Sequence, residues 1–204
     1  LDRSSAASDV YKRQVSSAPA HAVEVNAYPE LASMIEQLVS EKGLNRQRLN
    51  FWLTDARIDQ DIINAMQRPA ERLPWHRYRL HFLTRSSIRN GRKFLARYSE
   101  VFRQAEIRFG IPPEILVAII GVETSYGRIS GSHRVVDALA TLGFHYPSKS
   151  SRRSKFFLAQ LEEFLLFTRE DKLDPLELTG SYAGAMGIPQ FMPESYRKFA
   201  VDFD

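Results

Sequence analysis

A chain of 204 residues with 44% apolar side chains is long enough to bury one sizeable core and to carry a small second lobe. It contains no cysteine, which excludes disulfides, thiolate metal sites, a thiol nucleophile and a lipid-modified cysteine within it. The formal charge of +4 suits an acidic polymer, but the bases are scattered without the stripe of a nucleic-acid footprint, and the histidines (His21, His76, His81, His133, His145) lack the HxxxH pairing of a metal site.

Residues 1–22 read as a non-native or signal-remnant segment outside the fold. Leu1 to Gln14 has no apolar period, and Ala20-x-Ala22 matches the small-residue pattern of a secretory cleavage site, so the mature protein is expected to start near Val23 and to be exported. From Tyr28, the spacing of Leu31, Met34, Ile35, Leu38 and Val39 predicts a helix closed by Gly43. A second helix follows from Asn45 to Leu53, and Asp59 caps a third that carries Ile62, Ile63 and Met66 up to Pro69. These make an N-terminal helical lobe over 23–90, followed by a core over 91–204.

The run Pro74 to Phe82 is dense in aromatics and bases, the composition of a wall that stacks on a sugar face; the same composition suits an ordinary packing strip. One long helix is expected from Ser87 to Phe109, with Phe94, Leu95, Tyr98, Val101, Phe102, Ala105 and Phe109 forming a core stripe and Gly110 its stop. Pro112 and Pro113 open the next helix, and Glu114 complements its dipole. Ile115 to Val122 is apolar on every face, which predicts burial on all sides, and the run is too short to span a bilayer. Gly127 is the expected stop. Glu123 stands at the end of this helix. Burial there favours the protonated carboxyl that a general acid needs, while a pairing with Arg128 at the core rim is the structural alternative.

Val135, Val136, Leu139 and Leu142 predict a helix ending at Gly143, and Phe157, Leu161, Phe164 and Leu165 predict another. The loop between them, Tyr146 to Arg153, is polar and basic, and its Arg152 and Arg153 are either solvated or ligands of an anionic or carbonyl-rich group. Small residues dominate Gly180 to Pro193, where Ser181 and Gln190 offer neutral hydrogen bonds; this is either a site for an amide-bearing sugar or a tight turn. Pro193 starts a last helix through Tyr196 and Phe199. No alternating strand pattern occurs, so the class is all-α.

Three ordered blocks, Gly121-Val122-Glu123-Thr124-Ser125-Tyr126-Gly127-Arg128, Asp137-Ala138-Leu139-Ala140-Thr141-Leu142 and Gly180 to Tyr196, the last followed by Ala200-Val201-Asp202-Phe203, resemble the lytic murein transglycosylase B family from about Tyr28 to Asp204. The resemblance implies a lysozyme-like helical core with an accessory N-terminal lobe. It implies that Glu123 is the sole catalytic acid, that Ser181 and Gln190 position the acid and the N-acetyl sugars, that Tyr78 is a groove tyrosine, and that Arg152 and Arg153 lie near the peptide-bearing end of the site. The implied substrate and partner is the glycan strand of peptidoglycan, with no nucleic acid and no integral membrane segment, and the implied location is periplasmic. In the family the chain continues past this point into a calcium-binding loop and further helices, so the resemblance implies a C-terminally truncated core, a calcium loop beyond Asp204 and no cofactor within the chain.

The implied reaction cleaves the β-1,4 bond from N-acetylmuramic acid to N-acetylglucosamine and closes a 1,6-anhydro ring, with one carboxyl acting as acid and then as base where most glycosidases use two. The alternatives are a hydrolytic muramidase, in which Asp137 or Asp171 would face Glu123, and a non-catalytic glycan-binding helical module.

Overall fold

The computed structural model describes residues 21–23, 28–67, 74–148 and 151–201. The segment 1–20, the Pro69 stop and the Asp202-Phe203 tail lie outside the described residues, while His21 and Ala22 form a short strand β1 that pairs antiparallel with β2, Arg57–Ile58. Helices α1 (Pro29–Ser40), α2 (Arg46–Asp55) and α3 (Gln60–Gln67) follow the apolar spacing of the sequence. Asn45 caps α2 by accepting the Arg48 N–H at 3.0 Å, and Asp59 accepts that of Asp61 at 2.8 Å, so both helix starts satisfy an otherwise orphan donor.

A four-residue helix α4 (Trp75–Tyr78) runs into a 3-10 turn, Arg79–His81. The single helix expected from Ser87 to Phe109 is two, α5 (Arg85–Arg97) and α6 (Ser99–Phe109), because Tyr98 leaves helical geometry at φ −112° and ψ 26°. The break lets both segments pack on the next helix, α7 (Pro113–Thr124), and brings the Phe94 ring within 4.7 Å of Tyr98, 6.0 Å of Phe102 and 5.6 Å of Tyr126. Its stripe is core only at Phe102 and Ala105; Val101 and Phe109 are exposed.

The helix enclosed on all sides is α8 (Val135–Phe144), in which every residue from Val135 to Gly143 except Asp137 is buried. It packs along α9 (Ser151–Glu170), and Gly143 permits the approach: a Cβ there would lie 2.7 Å from the Leu158 side chain. Around this pair one core gathers Leu31, Leu38, Leu49, Leu53 and Ile62 from the first three helices with Leu139, Leu161 and Phe164. Burial of each such side chain is worth roughly 1.5–3 kcal/mol, so the N-terminal helices are held by the same apolar burial as the rest.

Strand β3 (His133–Arg134) pairs antiparallel with β4 (Thr179–Gly180), tying the entry of α8 to the small-residue loop that follows. These two-residue strands are too short to carry an alternating pattern. Arg152 and Arg153 lie in the first turn of α9 and not in the loop before it; both are exposed.

The last helix, α10 (Pro193–Phe199), is fastened by a buried side chain. Gln160 of α9 is 1% exposed; its carbonyl accepts the Glu194 N–H at 3.1 Å and its amide donates to the Glu194 carboxylate at 3.0 Å. Gln160→Ala is expected to lower stability by about 1–3 kcal/mol, because it strands a helix-start donor; urea denaturation at an unchanged slope measures it. Arg197 of α10 also grips Glu163 and Glu170 of α9, and its hydrogen bonds hold the Glu170 carboxyl below its ordinary 4.5. A depressed folded value stabilises at pH above the unfolded value and loses that stabilisation as pH falls through the folded one. The pair is partly solvated, so Arg197→Gln should cost under about 1 kcal/mol at neutral pH, and the difference from the parent should shrink as pH falls below the ordinary 4.5 and vanish only once it is below the lowered Glu170 value.

Candidate active site

Helix α7 contributes one exposed apolar stripe that leads to one carboxylate. Ile115, Ile119 and Val122 are 51%, 50% and 47% exposed, and only Val117 and Thr124 of this helix are buried. Burial on all sides, expected from composition, belongs to α8; α7 is covered by α5 and α6 and leaves this stripe open. Glu123 is exposed beside the stripe, so the apolar enclosure expected for it is absent. Its carboxylate makes no hydrogen bond or ion pair among the described residues.

The alternative partner is occupied elsewhere. Arg128 donates through Nε to the Ser125 carbonyl at 3.1 Å and through Nη2 to the Ser125 hydroxyl at 2.6 Å. Glu123 therefore stands as an unpaired acid and not as half of a core-rim ion pair.

The chain behind Glu123 is rigidly placed. Helix α7 ends at Thr124, three residues before the expected Gly127, and Ser125, Tyr126 and Gly127 all take positive φ, 51°, 67° and 78°. Left-handed geometry at two successive non-glycine residues is strained and persists only where neighbours over-determine it. Thr124, 1% exposed, supplies part of that: its hydroxyl donates to the Ile188 carbonyl at 2.9 Å and accepts the Gly127 N–H at 2.9 Å. Gly131, at φ 94°, presses on the other loop so closely that a Cβ would lie 1.9 Å from the Gly180 carbonyl oxygen.

Gln190, itself left-handed at φ 52°, donates its amide to the Ser130 carbonyl at 3.1 Å and to the Gly187 carbonyl at 2.9 Å. Its side-chain oxygen accepts nothing among the described residues. The Ser181 hydroxyl oxygen accepts the Ala183 and Ala185 N–H groups at 3.3 and 3.1 Å, which shapes the turn and leaves the hydroxyl proton for another acceptor. The segment 124–131 and the loop 180–191 are thus laced together; Ser181 and Gln190 belong to the laced unit, and Glu123 directly precedes it in the chain.

Tyr78 is half-buried, edge-on to Phe82 at 5.1 Å, and Phe82 lines a hollow of about 200 Å³ with Val122, Gly121 and Tyr126. This places the aromatic run beside the last turn of α7. Arg152 and Arg153 are joined to the unit by no hydrogen bond or ion pair among the described residues. Asp137, one candidate second carboxylate, is committed: it accepts the Arg57 N–H at 2.9 Å and lies 3.2 Å from Arg134 Nε, although that N–H is not aligned as a hydrogen bond. Burial pushes its carboxyl up, opposed by those partners. Asp171 sits in the turn that closes α9, and no bond links it to Glu123.

Residues 26–204 match the Transglycosylase SLT domain model. The chain belongs to that family. Membrane-bound lytic murein transglycosylase B of Escherichia coli is 42% identical over 185 residues, covering 86% of this chain and 50% of that protein. The crystal structure of the soluble lytic transglycosylase SltB1 of Pseudomonas aeruginosa superposes with a TM-score of 0.78 at 47% identity, covering 86% of this chain and 58% of that one. SltB3 of the same organism, solved in complex with NAG-anhNAM-pentapeptide, gives a TM-score of 0.72 at 27% identity over 86% of this chain and 46% of that one. The chain thus spans about half the length of the curated relative it matches, at 50%.

The chain has the all-α, lysozyme-like fold of these relatives. Among its described residues no helix is long and apolar enough to cross a membrane, and no group of three or more His, Asp or Glu side chains could hold a metal ion. Thr124, Tyr126 and Gly131 are the positions that residue-type reasoning passed over. Glycines inside helices, Gly91, Gly121 and Gly143, carried a legible hint of close approach, since each costs about 1 kcal/mol relative to alanine unless something occupies the space. Thr124→Val removes a hydroxyl that satisfies two backbone groups; it should destabilise by about 1–3 kcal/mol and speed amide exchange at Gly127 and through 186–191, measured by hydrogen–deuterium exchange.

Proposed function

We propose that this chain is a peptidoglycan lytic transglycosylase in which Glu123 alone acts as acid and then as base. The observation that carries the reading is the unpaired Glu123 carboxylate, exposed beside an apolar stripe and held by a strained turn laced to the loop of Ser181 and Gln190. Committed Asp137 supports a one-carboxylate chemistry. So does the anhydro sugar with which SltB3 was solved in complex.

A glycan strand lying over Ile119 and Val122 takes water away from Glu123, so that its proton passes to the substrate and not to solvent. Neutral Glu123 gives its proton to the glycosidic oxygen between N-acetylmuramic acid and N-acetylglucosamine as the C1–O bond breaks. The substrate's own N-acetyl oxygen supports the positive C1. The Glu123 carboxylate then takes the proton of the muramyl C6 hydroxyl, O6 bonds to C1, and the acid is restored with no water consumed. Tyr78 is the sugar-stacking wall, Ser181 and Gln190 orient the acid and the N-acetyl groups, and Arg152 and Arg153 receive the peptide-bearing end. The site of action is the periplasm, with the chain exported there and membrane-associated as in the E. coli relative.

Glu123→Gln keeps the shape and removes the proton. Turnover of purified sacculi should fall by at least about 10³-fold, with pull-down on sacculi retained, and products of the parent protein should carry anhydro ends by mass spectrometry. Reducing muramic ends in their place would establish hydrolysis, and unchanged turnover by Glu123→Gln would remove the acid assignment.

A further inference from the structure

The Tyr126 side chain folds back beneath the helix it has just left. Its ring enters the crossing of α5 and α7 at the one place where both helices lack a side chain. A Cβ on Gly91 would lie 2.6 Å from the phenol oxygen, and one on Gly121 would lie 2.7 Å from it. The hydroxyl donates to the Ser87 carbonyl at 3.1 Å, and the ring leans on Phe94 at 5.6 Å. Gly121 is in the same helical turn as Glu123.

We propose that Tyr126 is a positioning residue for Glu123: its phenol, wedged between Gly91 and Gly121 and tied to Ser87, sets where the last turn of α7 holds the carboxyl. Two clamps act on that turn. Thr124 ties it to the loop of Gln190, while Tyr126 ties it to α5, which carries the hollow beside the aromatic run. The positive φ at Ser125 and Tyr126 is what turns the ring back toward its own helix. A relaxed turn would let the chain run on, and the phenol would leave the crossing. The Glu123 carboxyl would then move by a fraction of an ångström to an ångström, and misplacement of that size costs up to about 10²-fold in turnover. The inference rests on Glu123 being the acid.

The test is a cycle of Tyr126→Phe, Gly91→Ala and the double variant, assayed for kcat and KM on purified glycan strands beside Glu123→Gln. Tyr126→Phe keeps the ring and loses the tie, so kcat should fall about tenfold with KM within about twofold and the circular dichroism spectrum unchanged. Gly91→Ala drives a methyl against the phenol oxygen and should fall further. The double variant should recover toward the level of Tyr126→Phe, because once the hydroxyl is gone the next ring atom stands 3.1 Å from the new Cβ, a tight contact that a small shift of the ring relieves. An unchanged kcat in Tyr126→Phe, or a double variant no better than Gly91→Ala, would overturn the proposal while Glu123→Gln stays inactive. Full activity of Glu123→Gln would instead overturn the acid assignment on which it rests.

Discussion

The Thr124 hydroxyl joins two stretches of chain that are 64 residues apart in sequence, through its bond to the Ile188 carbonyl. Everything proposed for the site depends on that junction. Without it the left-handed turn after α7 keeps only the Tyr126 tie, and the Ser130 carbonyl that Gln190 holds is less firmly fixed. The lacing is made of backbone carbonyls and neutral side chains, which hold geometry without placing a cation beside Glu123. A carboxyl that must give and then take a proton is best left without a permanent ion-pair partner, and Arg128 is kept off it by its bonds to Ser125.

Support for the junction comes from packing farther away. Loop 180–191 rests on α8, where a Cβ on Gly184 would strike Leu139 at 2.4 Å, and α8 is enclosed by the first three helices and α9. Burial of the N-terminal helices therefore reaches the site through Leu139 and Gly184. By contrast, α5, α6 and α7 bury few side chains and expose their apolar stripe, so their arrangement relies on point contacts: the Phe94 ring cluster, Thr124 and the Tyr126 wedge. A helix held by few contacts can adjust to a ligand at little cost in free energy.

Much of the fold was legible. Helical spacing placed α1, α2, α3, α8, α9 and α10 within a few residues, because apolar periodicity reports which face of a helix is buried. It failed where the same periodicity is consistent with two geometries. The stripe from Phe94 to Phe109 cannot distinguish a continuous helix from one interrupted at Tyr98, since the break goes with a long-range contact of Phe94 on Tyr126 that spacing does not report. Arg152 and Arg153 looked like loop because polar residues at a helix start and in a loop have the same composition.

The sequence by itself determined the all-α class, the isolation of Glu123 at the end of an apolar helix, and the small-residue character of the loop that holds Ser181 and Gln190, since those follow from residue type and local spacing. Tertiary structure decided which apolar helix is enclosed. Helices α7 and α8 are both largely apolar, and the difference lies in partners: Gly143 of α8 admits α9 on one side and the N-terminal helices pack on the other, whereas α7 is covered mainly by α5 and α6. The same long-range contacts decided that Glu123 is unpaired and open, because the position of Arg128 depends on a left-handed turn that only Thr124, Tyr126 and their distant partners hold in place.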